Sequence, residues 1–404
     1  MKQRVIIIGN SFTSRLCVAR SVAPLGYDIS VIVITGYRKD GSLIRKKDYD
    51  CYSKYISTVL YCQNSEDSLI RLLLDDCVDK DHKAILFPTS DFAVSTIDNN
   101  HDVLATNFLF PHINHEQGAI VKWMNKERQK ALAQKIGLNV AKSTTIEIKN
   151  GQYLIPDNVN YPCFTKTRSY IIGTKHTLKR CNNKQELLNF VNTLSKKYEC
   201  TLLVEDFKFI ETEYAVIGFS NGIDVVIPGI IQILSMAHGS HYGVACKGEV
   251  MSVDGFEEVI EKFKKFVLQI GFVGVFDIDF YKSDHEFYFG ELNLRIGGSC
   301  IAITRMGVNL PGMMVDFMNG EDISWMQMKI SGHATYVNER MLLGDLLQHY
   351  ISLETYHKML QGAEISFLKA KEDPKPYRVY RRRSWFLYAK SIIRRCLHCC
   401  CIKH

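Results

Sequence analysis

Over the first hundred positions, short apolar runs alternate with helical periodicities. Val5, Ile6, Ile7 and Ile8 form a run closed by Gly9, which reads as a buried strand. Across 14–25, Leu16, Ala19, Val22 and Ala23 share one side of a helix, with Gly26 just past its end. Residues 29–34 give a second buried strand, 65–78 a helix and 84–87 a third strand. Strands alternating with helices predict a parallel α/β sheet.

From about residue 112 the pattern changes. Asn125 is placed to cap a helix carrying Ala131, Leu132 and Ile136, with Gly137 closing it. Stretches 162–166, 201–204 and 213–219 are β-rich. Asn183 with Glu186, and Asp254 with Glu257, have capping-box spacing before apolar helical runs, and Gly271 ends the second run. Antiparallel strands are predicted at 274–281 and 285–292, with a turn near Ser283 and Asp284. The expected fold class is therefore mixed, α/β followed by α+β, with no internal repeat.

Composition narrows the function classes. The chain has 404 residues, 46% hydrophobic and 23% charged, enough for two or three domains with a real core. The N-terminal apolar run is too short for a signal peptide, and no stretch reaches the roughly 18 apolar residues of a membrane span. A cytoplasmic protein with reduced thiols is the expectation, and its thirteen cysteines then act mostly as small hydrophobes. The net charge of +7 resides in a tail: Arg378, Arg381, Arg382, Arg383, Lys390, Arg394, Arg395 and Lys403 lie in a stretch without acids. That tail also carries Trp385, Phe386, Leu387, Tyr388, Ile392 and Ile393, a composition suited either to peripheral contact with an anionic membrane or to a solvated end. Its Cys396, Cys399, Cys400, Cys401, His398 and His404 match no zinc spacing. No nucleic-acid partner is expected, because the basic charge lies outside any predicted cleft. Gly9 lacks the rest of a G-x-G-x-x-G pattern, so a dinucleotide site is not indicated.

The chemistry concentrates in the second hairpin. Strand alternation puts Glu291, Asn293 and Arg295 on one face, with Leu292, Leu294 and Ile296 on the other. Asp277 and Asp279 share a face of the preceding strand. An Asp beside Glu291 and Asn293 makes an all-oxygen cluster of the kind a hard cation favours, and Arg295 adds a charge for phosphate. The bland alternative is an exposed polar face.

Glu291-Leu292-Asn293-Leu294-Arg295 resembles the metal-binding strand of the ATP-grasp superfamily, in its carboxylate–amine ligase branch. It resembles carbamoyl-phosphate-synthase-like and D-aspartate-ligase-like ATP-grasp proteins. The resemblance covers about 1–325. It implies a pre-grasp α/β domain at 1–111 and an ATP-grasp domain at 112–325. Within the latter, a small lobe spans about 145–205 and a metal-binding lobe about 206–325. A C-terminal appendage, 326–404, follows. The implied cofactors are ATP and Mg2+, with Mn2+ as a substitute. Asp279, Glu291 and Asn293 would be metal ligands, with Asp277 the competitor of Asp279. Lys166 and Arg295 would act on phosphate. Glu205, Asp206, Phe207 and Lys208 resemble the hinge that grips adenine through backbone groups. Glu213, or Glu211, would accept ribose hydroxyls. Residues 87–91 resemble a segment near the end of the pre-grasp domain, and Asn125 with Lys126 the helix leading into the grasp domain.

The implied activity is a ligase that converts a carboxylate to an acyl-phosphate and passes it to an amine; both partners would be small molecules. The family's loop after the phosphate Lys is Gly-rich. Here 167–175 holds one glycine, Gly173, with Arg168 and Lys175 as charges. A non-catalytic ATP-binding module is therefore the alternative. His238, His241 and Lys247 are candidates for handling substrate, since His titrates near neutrality.

Overall fold

The structure is a computed structural model that describes residues 2–38, 40–167, 177–239 and 244–401, with side chains between 3 and 393 in those stretches except at Thr167. The N-terminal strands are β1 (Lys2–Gly9), β2 (Tyr27–Thr35), β3 (Thr58–Gln63), β4 (Ala84–Pro88) and β5 (Phe108–Leu109). They form a parallel sheet in the order β3-β2-β1-β4-β5. Val5 and Ile7 pack with Val18, Val22 and Met314 on one face, and Ile6 and Ile8 with Leu69, Leu73 and Ile97 on the other. Burial on both faces is why this strand is an unbroken apolar run.

The helix Phe12–Val22 starts two residues before the expected 14 and includes a residue its apolar stripe does not advertise. Arg15 is fully buried, with Nε and Nη2 on the two oxygens of Asp50 (2.7 and 3.0 Å) and Nη1 on the Gly9 carbonyl (2.7 Å). Gly9 itself is required because a Cβ there would overlap the Thr89 hydroxyl, where the β1 and β4 ends converge.

A four-stranded sheet follows in the order β7-β10-β8-β9, made of β7 (Ser143–Ile148), β8 (Cys163–Thr167), β9 (Lys179–Cys181) and β10 (Cys200–Asp206). The helix Lys184–Ser195 covers it with Leu187, Val191 and Leu194. Asn183 caps that helix by accepting from the Glu186 amide, while Glu186 reaches back to the Asn182 amide, one residue earlier than a capping box requires.

The largest sheet collects β6 (His112–Ile113), β11 (Thr212–Asn221), β12 (Val225–Val226), β13 (Ile230–Met236), β14 (Ala245–Met251), β15 (Phe272–Ser283), β16 (Glu286–Asn293), β17 (His333–Val337) and β18 (Ile365–Ser366). Its spine runs β16-β15-β11-β13-β14-β17-β18. The helix Glu257–Ile270 packs Phe263, Phe266 and Val267 against it. The capping box expected from Asp254 does not form. Gly255 turns left-handed, Asp254 takes the Ser252 hydroxyl, and Glu257 accepts from the Gly255 amide. Gly271 closes the helix with φ +75°, as its position predicts.

The stretch 326–404 is built into this framework. β17 pairs with β14, Arg20 binds Asp373 at 3.0 Å, and Phe12 and Leu16 share a core with Leu342, Leu346 and Tyr380. The long helix Lys375–Cys401 ends the described chain. No helix among the described residues is long and apolar enough to cross a membrane. The cysteines with described side chains are free, and all are buried or half-buried. The 396–404 Cys/His group lies outside the described side chains.

Candidate active site

The hairpin β15–β16 sets the site. Asp284 and His285 both have positive φ (51° and 64°), the two-residue turn that matches the twist of paired strands. From that turn the register runs Phe280 opposite Phe289, both in the core. One residue is then inserted: Gly290 bulges, and Asp279 meets Glu291 while Asp277 meets Asn293. Without the bulge, Glu291 would oppose Ile278, which is buried in the core. The bulge therefore flips the parity of β16 and brings Glu291 to the face of the aspartates. A side chain at position 290 would press a Cβ to 2.8 Å from the Asp279 carbonyl, so glycine is needed there.

That face opens on a cavity of about 510 Å3 lined by Glu213, Asp277, Asp279, Glu291, Asn293 and Arg295, with Ser299 and Asn338 further along the wall. Burial, followed by the Glu291 charge, pushes the Asp277 carboxyl up to about 7. Burial and the Asp277 charge raise Asp279 well above the carboxylate range. Burial also opposes ionisation of Glu291, but Lys126 at 2.6 Å outweighs it, with Lys166 and Arg295 adding to the effect. Asp277 Oδ1 is buried without a hydrogen-bond partner. Two protonation-prone aspartates and an unsatisfied oxygen suit a hard cation, which takes carboxylate and amide oxygens.

Among the described residues no three His, Cys, Asp or Glu side chains converge into a finished metal cage. A cation such as Mg2+ does not need one, because it binds through one or two carboxylates and completes its shell with water and substrate phosphate.

Arg295 lies just beyond β16. Its Nε donates to Asp91 Oδ1 at 2.5 Å, so the residue after Ser90, at the start of the helix that follows β4, clamps the guanidinium. Ile296 does not join Leu292 and Leu294. Strand geometry ends at Asn293, and Ile296 packs in the core shared with the parallel sheet.

Lys166, on β8, reaches Glu205 on β10 at 2.9 Å. Lys130, from the helix Lys126–Lys135, binds the other oxygen of the same carboxylate. Burial opposes the Glu205 charge, but the two ammoniums outweigh it and hold the carboxyl below its ordinary range. Two backbone amides of the expected hinge are already paired within the protein. The Asp206 amide is bonded to Lys142 O and the Phe207 amide to Pro162 O, both at 2.9 Å, so neither is offered to a purine. Phe207 also carries Arg180 over its ring, and Lys208 sits 3.4 Å from Asp284. A second cavity, about 600 Å3, lies against Glu205, Lys130 and Lys142 but contains none of the hairpin carboxylates.

Glu213 lines the hairpin cavity, and burial pushes its carboxyl up. Its competitor Glu211 instead accepts from the His285 amide at the turn. His238 does not face the cavity: its ring lies 3.0 Å from Asp345, which is buried in the helix Glu339–Leu347. Lys247 is a mid-strand residue of β14 paired with Ser235 and Val337, and it is not among the cavity-lining residues. Lys175 and His241, with Arg168 and Gly173, lie outside the described residues. Sequence reasoning missed Lys126 and Lys130 as site residues. Their i,i+4 spacing was the available signal, since it puts both on one helix face.

Residues 125–325 match the family described as carbamoyl-phosphate synthase L chain, ATP binding domain. The chain carries an ATP-grasp domain of this family. Among curated proteins it is 27% identical over 165 residues to the carbamoyl phosphate synthase large chain of Campylobacter jejuni, covering 40% of this chain and 15% of that protein. The match to the Pseudomonas syringae large chain is 23% over 218 residues, covering 53% and 20%. The chain thus spans a fifth or less of these relatives' length. Among solved structures, biotin carboxylase from Campylobacter jejuni in a βγ-ATP complex aligns with TM-score 0.63 at 16% identity, covering 82% of this chain and 74% of that one. N5-carboxyaminoimidazole synthetase from Staphylococcus aureus with ADP aligns at 0.61 and 17%, covering 87% and 86%. An L-amino acid ligase from Bacillus licheniformis aligns at 0.58 and 13%, covering 83% and 79%. At these identities the structural likeness speaks for the ATP-grasp fold.

Proposed function

We propose that this chain is an ATP-dependent ligase that activates a small carboxylate as an acyl-phosphate and transfers the acyl group to an amine. The observation that carries the reading is the bulged hairpin, which faces Asp279 with Glu291 and Asp277 with Asn293 in one cavity beside a clamped Arg295. Residues 1–111 then serve as the pre-grasp domain and 112–325 as the grasp domain, whose lobes at about 145–205 and 206–325 enclose ATP.

Lys166 and Lys130 neutralise nucleotide phosphate, taking phosphate oxygens where they now hold Glu205. Glu213 accepts ribose hydroxyls. Asp279, Glu291 and Asn293 would hold Mg2+ or Mn2+, which would supply positive charge to offset that of the phosphates. Arg295, oriented by Asp91, presents its donors to the transferring phosphoryl group. The substrate carboxylate attacks the γ-phosphorus in line and ADP leaves. The amine nitrogen then attacks the acyl carbon, the carbon–oxygen bond to phosphate breaks, and inorganic phosphate departs. Ser299 and Asn338, on the same cavity wall, offer polar contacts for orienting the two substrates.

The test is ADP release from MgATP with and without pooled amino acids and small carboxylates, comparing wild type with Glu291→Ala. Release that depends on substrate and disappears in the variant supports the ligase. MgATP that raises the melting temperature without ever being turned over supports a binding module instead. MgATP that neither turns over nor stabilises the protein removes the site assignment.

A further inference from the structure

The C-terminal helix Lys375–Cys401 is docked by one face only. Tyr380 and Ser384 are buried, the Tyr380 hydroxyl donates to the Glu339 carbonyl at 2.6 Å, and Arg383 reaches back to Lys47 O and the Tyr52 hydroxyl. These contacts fix the helix about its axis and so decide what the opposite face presents. On that face Trp385, Phe386, Ala389, Ile392 and Ile393 are all exposed. Their offsets from Trp385 are one, four, seven and eight positions, the spacing of an apolar helical stripe that ordinarily faces a core. Here it faces outward: Phe386 is 69% exposed and Ile393 58%.

Charge is arranged around this stripe with a single sign. Arg378, Arg381 and Arg382 are exposed on the same side of the helix one to two turns before the stripe, and Lys390 is exposed beside it. The 375–401 sequence contains no Asp or Glu. The two acids on the segment leading into the helix are engaged: Asp373 with Arg20, and Glu372 with Arg305. The uncovered apolar surface also continues off the helix. A cavity of about 420 Å3 opens beside Trp385, walled by Arg381 and Tyr388 on one side and by Leu353, His357 and Leu360 of the helix Leu353–Gln361 on the other.

We propose that this face docks on an anionic lipid bilayer, lying in the interface with Trp385, Phe386, Ile392 and Ile393 inserted and the arginines among the headgroups. The chemistry favours this occupant over a second copy of the chain. Pairing two such stripes would bring two sets of unbalanced cations together, whereas an anionic leaflet supplies the missing countercharge. An interfacial helix of this kind buries its apolar face about 5–10 Å deep, in reach of exposed side chains on a rigidly held helix. The geometry does not depend on the ATP site, so this inference and the ligase reading stand or fall separately.

The experiment is co-sedimentation of the full chain with vesicles of phosphatidylcholine mixed with phosphatidylglycerol, against phosphatidylcholine alone. Binding is expected on the mixed vesicles, weak on the neutral ones, and reversed by high salt. Each exposed cation near a charged leaflet is worth about a fivefold change in partitioning, so Arg381→Gln with Arg382→Gln should lower it roughly thirtyfold. Phe386→Ser with Ile393→Ser should abolish binding while leaving the melting temperature unchanged, because both side chains are exposed. The proposal is overturned by absence of binding to mixed vesicles, by equal binding to neutral ones, or by retention in the serine variant. It is also overturned if the chain forms a dimer that the serine variant dissolves while neither protein binds lipid.

Discussion

Glu205 sits between two lysines in the cleft, and replacing it with Gln exposes what that arrangement does. In the wild type both ammoniums and the carboxylate are largely removed from water: side-chain exposure is 8% for Lys130, 19% for Lys166 and 11% for Glu205. Glu205→Gln keeps the volume and one acceptor oxygen but deletes the negative charge, leaving two cations facing each other. Removing one partner of a buried pair costs about 3–5 kcal/mol, since the remaining charge is desolvated without compensation. Here two charges are left, so the upper half of that range is expected, or roughly a 5–6 °C fall in melting temperature for a chain of this length without nucleotide. The effect of MgATP should move the other way. Phosphate restores the missing negative charge in the variant, whereas in the wild type it must displace a carboxylate already in place. Scanning calorimetry with and without MgATP should show a lower melting temperature for nucleotide-free Glu205→Gln and a larger nucleotide-induced rise. A variant as stable as wild type would mean that the lysines are not constrained by Glu205. An equal or smaller rise with MgATP would mean that they do not meet phosphate.

Three further outcomes follow from other parts of the structure. Gly290→Ala forces a Cβ against the Asp279 carbonyl and should cost about 1–3 kcal/mol; urea denaturation measures the loss, and MgATP stabilisation should disappear with the bulge. Asp91→Asn removes the carboxylate that accepts from Arg295 Nε; a charged hydrogen bond worth about 1.5–3 kcal/mol predicts a roughly tenfold to hundredfold drop in kcat/KM for ADP formation, with the melting temperature little changed. His112 is held neutral down to about pH 4 by burial and by the rings of His115 and His101. The unfolded chain takes up this proton near pH 6.5, so the contribution is fully present above 6.5 and is lost as pH falls toward 4. Its ceiling is about 3 kcal/mol, which partial exposure reduces to roughly 1–2 kcal/mol. His112→Asn should flatten the stability–pH curve by that amount between pH 7 and 4, and an unchanged slope would refute the assignment.

The sequence by itself determined the elements and the kinds of donor in the site. Val5 to Ile8 is buried on both faces, and only a strand covered on two sides accommodates such a run. Asn125, Asn183 and Gly271 mark helix ends because their side chains, or the absence of one, satisfy backbone groups locally. The hairpin's acids were legible for the same reason: alternation over a few residues is a local property. The tertiary structure decided what local patterns cannot encode. Alternation from Phe287 and Phe289 would have buried Glu291, and the Gly290 bulge, seen only once two strands are paired, carries it to Asp279 instead. Asp254 could not act as a cap because Gly255 redirects the chain. His238 and Lys247 sit near the site in sequence but are not among the residues lining the cavity: His238 lies two residues past β13 against Asp345, and Lys247 is held in the middle of β14. Conversely, Asp91 reaches Arg295 and Lys130 reaches Glu205 across 204 and 75 positions of chain. Pairings over such distances are set by how sheets and helices pack, and electrostatic partners acquire their strength only once that packing has excluded water.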